Sequence, residues 1–189
     1  MNNFEVIKTP IKDLVIIQPK VFGDERGFFL ETYNKKSFEE HGLTMEFVQD
    51  NHSKSKKGVL RGLHFQTKFT QGKLVRAVKG SVYDVAVDLR KSSETYGQWY
   101  GVLLTEQNKT MFYIPEGFAH GFLTLTDNVE FAYKADNYYN KESEGAIRFD
   151  DEKIGVDWKL ADLGVGEVII SDKDKTAPGF EELTDDCFF

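Results

Sequence analysis

VLRGLHFQ, residues 59–66, sets an arginine and a histidine among strand-forming apolar residues. YIPEGFAHGF, residues 113–122, does the same with another histidine. Period-two alternation puts Leu60, Gly62, His64 and Gln66 on one face of the first strand. Gly62 leaves space beside His64, as close approach of a ligand would need. Arg61 has the opposite parity, and a bulge near Gly62 would bring it round.

Outward from these two stretches, short β-rich runs recur between turn signals. Strands are expected at 14–18, 28–32, 46–50, 59–66, 73–80, 82–89, 98–104, 110–114, 120–125, 129–135 and 167–171. FGDERG, VKGS, ETYGQ, TEQNK, IPEG and LTDN punctuate them. A spacing of about 8–12 residues points to an all-β sandwich or barrel. Two short helices are expected, NKKSFEEHG (34–42), with Asn or Ser as its N-cap and Gly42 at its end, and DDEKIGVDW (150–158). No internal repeat or linker breaks the chain, so residues 1–189 read as one domain. The acidic segment 179–189 reads as a loosely held tail.

The 189 residues suffice for one domain with a real core. Sixteen Phe and eight Tyr point to an aromatic-rich core or cleft. A net charge of -7 argues against nucleic acid, which needs a basic footprint, but leaves room for a small anion held by local Arg and Lys. KSKK (54–57) reads as a solvated loop. No apolar run approaches the ~18 residues of a membrane span. The first ten residues lack the pattern of a secretory signal. Cys187 is the single cysteine, so no intramolecular disulfide forms and a reducing cytoplasm is the expected setting.

Three readings compete for the histidines. Pro115, Gly117 and His120 fit P-x-G-x-x-H, half of a cupin-type metal motif. The other half is broken: Gln66 stands where H-x-H needs a second histidine, and residues 67–71 hold no glutamate. Two histidines without a carboxylate make a poor divalent-metal site, so no metal is expected. Structural histidines are the second reading. The third is a general base taking a proton from carbon next to a carbonyl. Such a base needs an orienting carboxylate, an acid on the far side and a cation for the enolate. Tyr133, Lys73, Asp172 and Asp174 are available, but spacing alone does not gather them.

FGDERGFFLETYN, FVQDNHSKSKKGVLRGLHFQ, QGKLVRAVKGSVYDVAVDLR, IPEGFAHGF, FAYKADNYYNKESEGAIRFDD and IGVDW, in this order, resemble the dTDP-4-dehydrorhamnose 3,5-epimerase family from about residue 5 to 178. The resemblance implies a cupin-like double-stranded β-helix (jelly roll), a homodimer, and no metal or other cofactor. It implies epimerisation at C3 and C5 of dTDP-4-dehydro-6-deoxy-α-D-glucose, giving dTDP-4-dehydro-β-L-rhamnose. A relative acting on one carbon of a related nucleotide-linked 4-keto-6-deoxy sugar is the alternative. His64 matches the base, Tyr133 the acid, Lys73 the cation beside the enolate oxygen, and Asp174 the carboxylate orienting the histidine. Asp84 is a second candidate for that neighbourhood. His120 would line the sugar pocket. Arg26, Glu31, Gln49, Asp50, Asn51 and Arg61 match substrate-contacting positions, arginine suiting diphosphate oxygens through its planar donor fork. Tyr139 matches the residue stacking on thymine, with Tyr138 its competitor. Glu144 and Lys173 match further nucleotide contacts, some of which the family draws from the partner subunit.

Overall fold

In a computed structural model, which describes residues 3–184 together with Cys187 and Phe189, two antiparallel sheets face each other. The strands are β1 (Phe4–Lys8), β2 (Val15–Pro19), β3 (Phe22–Asp24), β4 (Gly27–Phe29), β5 (Gln49–Ser55), β6 (Leu60–Gln66), β7 (Lys73–Lys79), β8 (Ser81–Asp88), β9 (Trp99–Thr105), β10 (Met111–Ile114), β11 (Phe118–Thr124), β12 (Val129–Ala135) and β13 (Glu144–Ala146). One sheet runs β1-β2-β10-β7-β12-β5, the other β13-β6-β11-β8-β9, and β3-β4 form a separate hairpin. The crossed strand order is that of a cupin-like jelly roll. No helix among the described residues is long and apolar enough to cross a membrane.

Three apolar layers hold the sheets. Val75, Ala77, Val82, Ala86, Phe112, Phe122 and Phe131 fill the space between them. The outer face of the five-stranded sheet, with Leu60, Leu63, Phe65, Val85 and Leu123, lies under Ile147, Ile154, Trp158 and Phe180 from the C-terminal third. The outer face of the six-stranded sheet, with Val15, Ile17, Leu74 and Met111, lies under Phe38 of α1 (Lys35–Glu39) and under Leu43, Met45 and Phe47. Being covered on both faces, β8 and β11 read as nearly continuous buried runs. Each fully buried Phe or Leu contributes about 1.5–3 kcal/mol of transfer free energy.

The helix expected at 34–42 forms over Lys35–Glu39. Asn34 is its N-cap, accepting from the Ser37 N–H at 3.2 Å, and Gly42 follows with φ +79°. The expected strand at 46–50 instead runs from Gln49 to Ser55. Its inward side chains, Gln49, Asn51 and Ser53, are polar, so no hydrophobic alternation marks it. That strand takes in Lys54 and Ser55 of the expected KSKK loop. Residues 167–171 contribute only a single parallel bridge, Ile169 to Val59. Residues 150–158 form turns, not a helix, with Ile154 and Trp158 turned into the core. A short helix at Asp172–Lys175 (α2), capped by the Ser171 side chain, was not expected. The tail expected at 179–189 includes Asp185, Asp186 and Phe188, which lie outside the described residues. Within the rest, Phe180 is buried, and the Phe189 backbone exchanges bonds with Leu89 and Lys91.

Candidate active site

At one end of the space between the sheets lies a cleft of about 330 Å³. Strand parity decides what lines it. On β8 the inward positions are Val82, Asp84 and Ala86; on β11 they are Phe118, His120 and Phe122. Lys73 and Val75 of β7, with Phe131 and Tyr133 of β12, face them.

β6 enters by a bulge. His64 pairs with His120 but Arg61 pairs with Phe122, so β6 carries three steps against two on β11. The extra residue turns Leu63 and Phe65 into the outer core while Arg61 and His64 both line the cleft. The expected common face of Leu60, Gly62, His64 and Gln66 is therefore broken: Leu60 belongs to the outer core. Gly62 sits at φ +124°, and a Cβ there would meet the Gly121 Cα at 2.5 Å. What approaches Gly62 is this neighbouring backbone, not a ligand. The Gly62–Leu63 peptide is cis.

His64 Nε2 lies 2.7 Å from Asp174 Oδ1, and the His64 side chain is 34% exposed against 4% for Asp174. Burial pushes the Asp174 carboxyl up, but the His64 bond and charge, the Gly62 backbone and the Ser171 side chain together outweigh it and hold the group below the usual carboxylate value. An ionised Asp174 accepts a proton-bearing Nε2, which leaves the lone pair of a neutral His64 ring on Nδ1. A second pair lies deeper. His120 Nε2 is 3.0 Å from both Asp84 carboxylate oxygens, and both residues are buried. Burial pushes the Asp84 carboxyl up, against the opposing pull of His120 and Lys73.

Burial pushes the Lys73 ammonium down to about 8, although Asp136 and Asp84 draw it back up. Burial also pushes the Tyr133 phenol up, partly offset by the Arg61 charge, so at neutral pH it holds its proton. The cleft wall thus carries an imidazole bonded to a carboxylate, a phenol that holds its proton, and a buried lysine. Among the described residues, no group of three or more His, Cys, Asp and Glu is placed to hold a metal ion.

A family model described as dTDP-4-dehydrorhamnose 3,5-epimerase matches residues 8–182. A Salmonella typhimurium dTDP-4-dehydrorhamnose 3,5-epimerase is 59% identical over 175 residues, covering 92% of this chain and 93% of its own. The chain belongs to the dTDP-4-dehydrorhamnose 3,5-epimerase family. It is accordingly an isomerase. The crystal structure of dTDP-6-deoxy-D-glucose-3,5-epimerase from Legionella pneumophila Philadelphia 1, in complex with dTDP-4-keto-L-rhamnose, superposes with a TM-score of 0.93 at 48% identity. It covers 98% of this chain and 97% of its own. The dTDP-4-dehydrorhamnose 3,5-epimerase of Elizabethkingia anophelis NUHP1 gives 0.89 at 53% identity, covering 95% and 98%.

In this member of the epimerase family, Asn51, Arg61, His64, Lys73, His120, Tyr133, Tyr139 and Glu144 line one cleft. Asp174 stands behind His64, and Lys173 forms an ion pair with Glu144. Gln49 reaches the same end of the molecule, its Oε1 accepting from the Tyr139 N–H at 3.0 Å. Three expected contacts are not brought to the cleft. Asp50 has the opposite parity on β5 and pairs with Lys134 at 2.9 Å on the outer face. Arg26 sits at the tip of the β3–β4 hairpin in an ion pair with Asp24, its side chain 84% exposed. Glu31 accepts from Asn3 at 2.8 Å and Asn34 at 3.2 Å. Both positions lie on the β3–β4 hairpin or just after it, outside the two facing sheets. Gln71, Phe122 and Asp136 escaped sequence reading. Phe122 shares the parity of His120, which was a usable signal. Asp136 acts on Lys73 only through the β7–β12 register, which leaves no trace in local sequence.

Proposed function

We propose that this protein catalyses 3,5-epimerisation of dTDP-4-dehydro-6-deoxy-α-D-glucose to dTDP-4-dehydro-β-L-rhamnose without a cofactor. The observation that carries this reading is the gathering of His64, Tyr133 and Lys73 around one cleft with Asp174 behind the histidine, in a chain of this family. The C4 ketone acidifies the protons on both C3 and C5, so the chemistry needs a base, an acid and a cation. His64 Nδ1 takes the proton from C3. The C–H electron pair moves into the ring and the C4 oxygen becomes an enolate, facing the Lys73 ammonium. Tyr133 delivers a proton to the opposite face of C3, which inverts it. His64 then sheds its proton to solvent, Tyr133 regains one, and the cycle repeats at C5. Asp174 holds the His64 tautomer and stabilises the imidazolium. His120 lines the sugar pocket, held by Asp84.

Asn51, Arg61, Gln49, Glu144, Lys173 and Tyr139 serve the nucleotide end, Arg61 on the diphosphate and Tyr139 on the thymine. The chain works as a single cytoplasmic domain that pairs into a homodimer. Phe28 is 60% and Phe29 68% exposed on the hairpin that carries Arg26, a surface suited to a second copy. Arg26, Glu31 and Asp50 contact substrate in that dimer.

Incubation with the 4-keto sugar nucleotide in D2O containing EDTA tests the reading. Deuterium at C3 and C5, with an L-rhamno product, is expected. Label at one carbon only would establish the single-carbon alternative, and loss of activity in EDTA would require a metal. No exchange from a bound sugar nucleotide would overturn the catalytic assignment.

A further inference from the structure

Asn137 to Asn140 connect β12 to the 3-10 turn at Lys141–Ser143 and belong to no strand. Yet each of these four residues has a backbone polar atom bonded to a glutamine side chain. Gln71 Nε2 donates to the Asn137 carbonyl at 2.7 Å. Gln66 Nε2 donates to the Tyr138 carbonyl at 3.3 Å. The Tyr139 N–H donates to Gln49 Oε1 at 3.0 Å, and the Asn140 N–H donates to Gln66 Oε1 at 2.7 Å. Gln66 is buried, and its Nε2 also donates to the Phe69 carbonyl at 2.5 Å. One amide on the end of β6 thus ties together the loop after β6 and the segment after β12.

This segment carries Tyr139 to the cleft. The Tyr139 ring is half exposed, and its hydroxyl donates to Glu144 Oε2 at a long 3.4 Å. Apolar packing does little to set its place, so the backbone must. Ordering a loose segment at the moment of binding costs affinity, and a segment already held avoids that cost. Main-chain groups without sheet partners would otherwise bond water and leave the segment free to move.

We propose that Gln66, Gln71 and Gln49 are positioning residues, forming a clasp that preorganises Tyr139 as the nucleobase wall of the cleft. The proposal rests on the reading of Tyr139 as a nucleobase contact. It assigns Gln66 the largest share, because its amide alone bonds two residues of the segment. Its action is on nucleotide affinity, through Tyr139, and not on proton transfer.

A double-mutant cycle on dTDP binding by calorimetry tests this in the full chain. Tyr139→Ala should weaken dTDP about tenfold, the usual scale of one base–aromatic stack. Gln66→Met, close in size but without hydrogen-bonding groups, should weaken it about fivefold and raise KM in step, with kcat within about twofold. Added to Tyr139→Ala, Gln66→Met should change the affinity by less than about twofold, because its effect passes through the missing ring. Gln71→Met gives the same cycle on a more exposed side chain if Gln66→Met does not fold, as judged by circular dichroism. Full additivity would mean direct ligand contact and overturn the clasp alone. A fall in kcat with KM unchanged would also overturn it. If Tyr139→Ala left dTDP binding intact, the nucleobase reading would fall, and the clasp with it.

Discussion

Two histidine–aspartate pairs stand a strand apart, and they are built differently. His120 and Asp84 come from neighbouring antiparallel strands, both buried, with the ring nitrogen equidistant from both carboxylate oxygens. His64 and Asp174 come from positions 110 residues apart, one on a bulged strand and one on a four-residue helix, and the histidine is open to the cleft. Burial dominates the first pair and pushes Asp84 up. In the second, hydrogen bonds outweigh burial and hold Asp174 down. The same two residue types thus make a buried pair in one place and, in the other, a pair whose histidine opens to the cleft, the one we propose as the base. The difference is access to solvent and the number of donors around the carboxylate.

The sharpest break of this comparison is in turnover. His64→Ala should lower kcat by about ten-thousand-fold, and Asp174→Asn by about a thousandfold through the wrong tautomer. In both, dTDP affinity should stay within about threefold of wild type by calorimetry. An equal loss of affinity in either variant would place these residues in binding rather than proton transfer.

Stability should respond at the other pair. Asp84→Ala leaves His120 buried without its partner and should cost about 3–5 kcal/mol in urea unfolding. Asp174→Asn keeps an acceptor in place and should cost about 1 kcal/mol. The reverse ranking would mean that the exposed pair is the structural one.

The pH dependence carries the smallest effect. The Lys73 ammonium titrates near 8 in the fold, against about 10.4 in an unfolded chain. Between those values the unfolded state binds the extra proton, so the Lys73 contribution to stability rises with pH. Activity should move the opposite way, halving as pH passes about 8, because the enolate loses its cation. Comparing wild-type and Lys73→Met melting temperatures from pH 8 to 10 isolates the first trend, and the rate profile reads the second. A flat rate to pH 10 would mean that Lys73 works uncharged.

Much of this arrangement was legible before the fold was known. Short β-rich runs between turn signals marked β6, β7, β8, β9, β10 and β12, because strand-forming residues and the turn residues that bound them are local properties of the sequence. β5 was displaced in the reading because its inward residues line a polar cleft, so it lacks the apolar period. The bulge at Gly62 was open in the sequence, since one added residue leaves composition unchanged while reversing every face beyond it.

Residue types and their order, from FGDERG through IPEGFAHGF to IGVDW, were enough for the family, but of the residues they nominated Arg26, Glu31 and Asp50 stay outside the cleft. Spacing by itself left open which carboxylate meets which histidine; only the resemblance paired Asp174 with His64, with Asp84 as a second candidate. That was settled by the packing of the C-terminal third over the outer face of the five-stranded sheet, which brings α2 and Asp174 behind β6. The assignment of Asp84 to His120 was settled by the β8–β11 register. Strand pattern is written in neighbouring residues, whereas contacts across 110 positions exist only once the layers have closed.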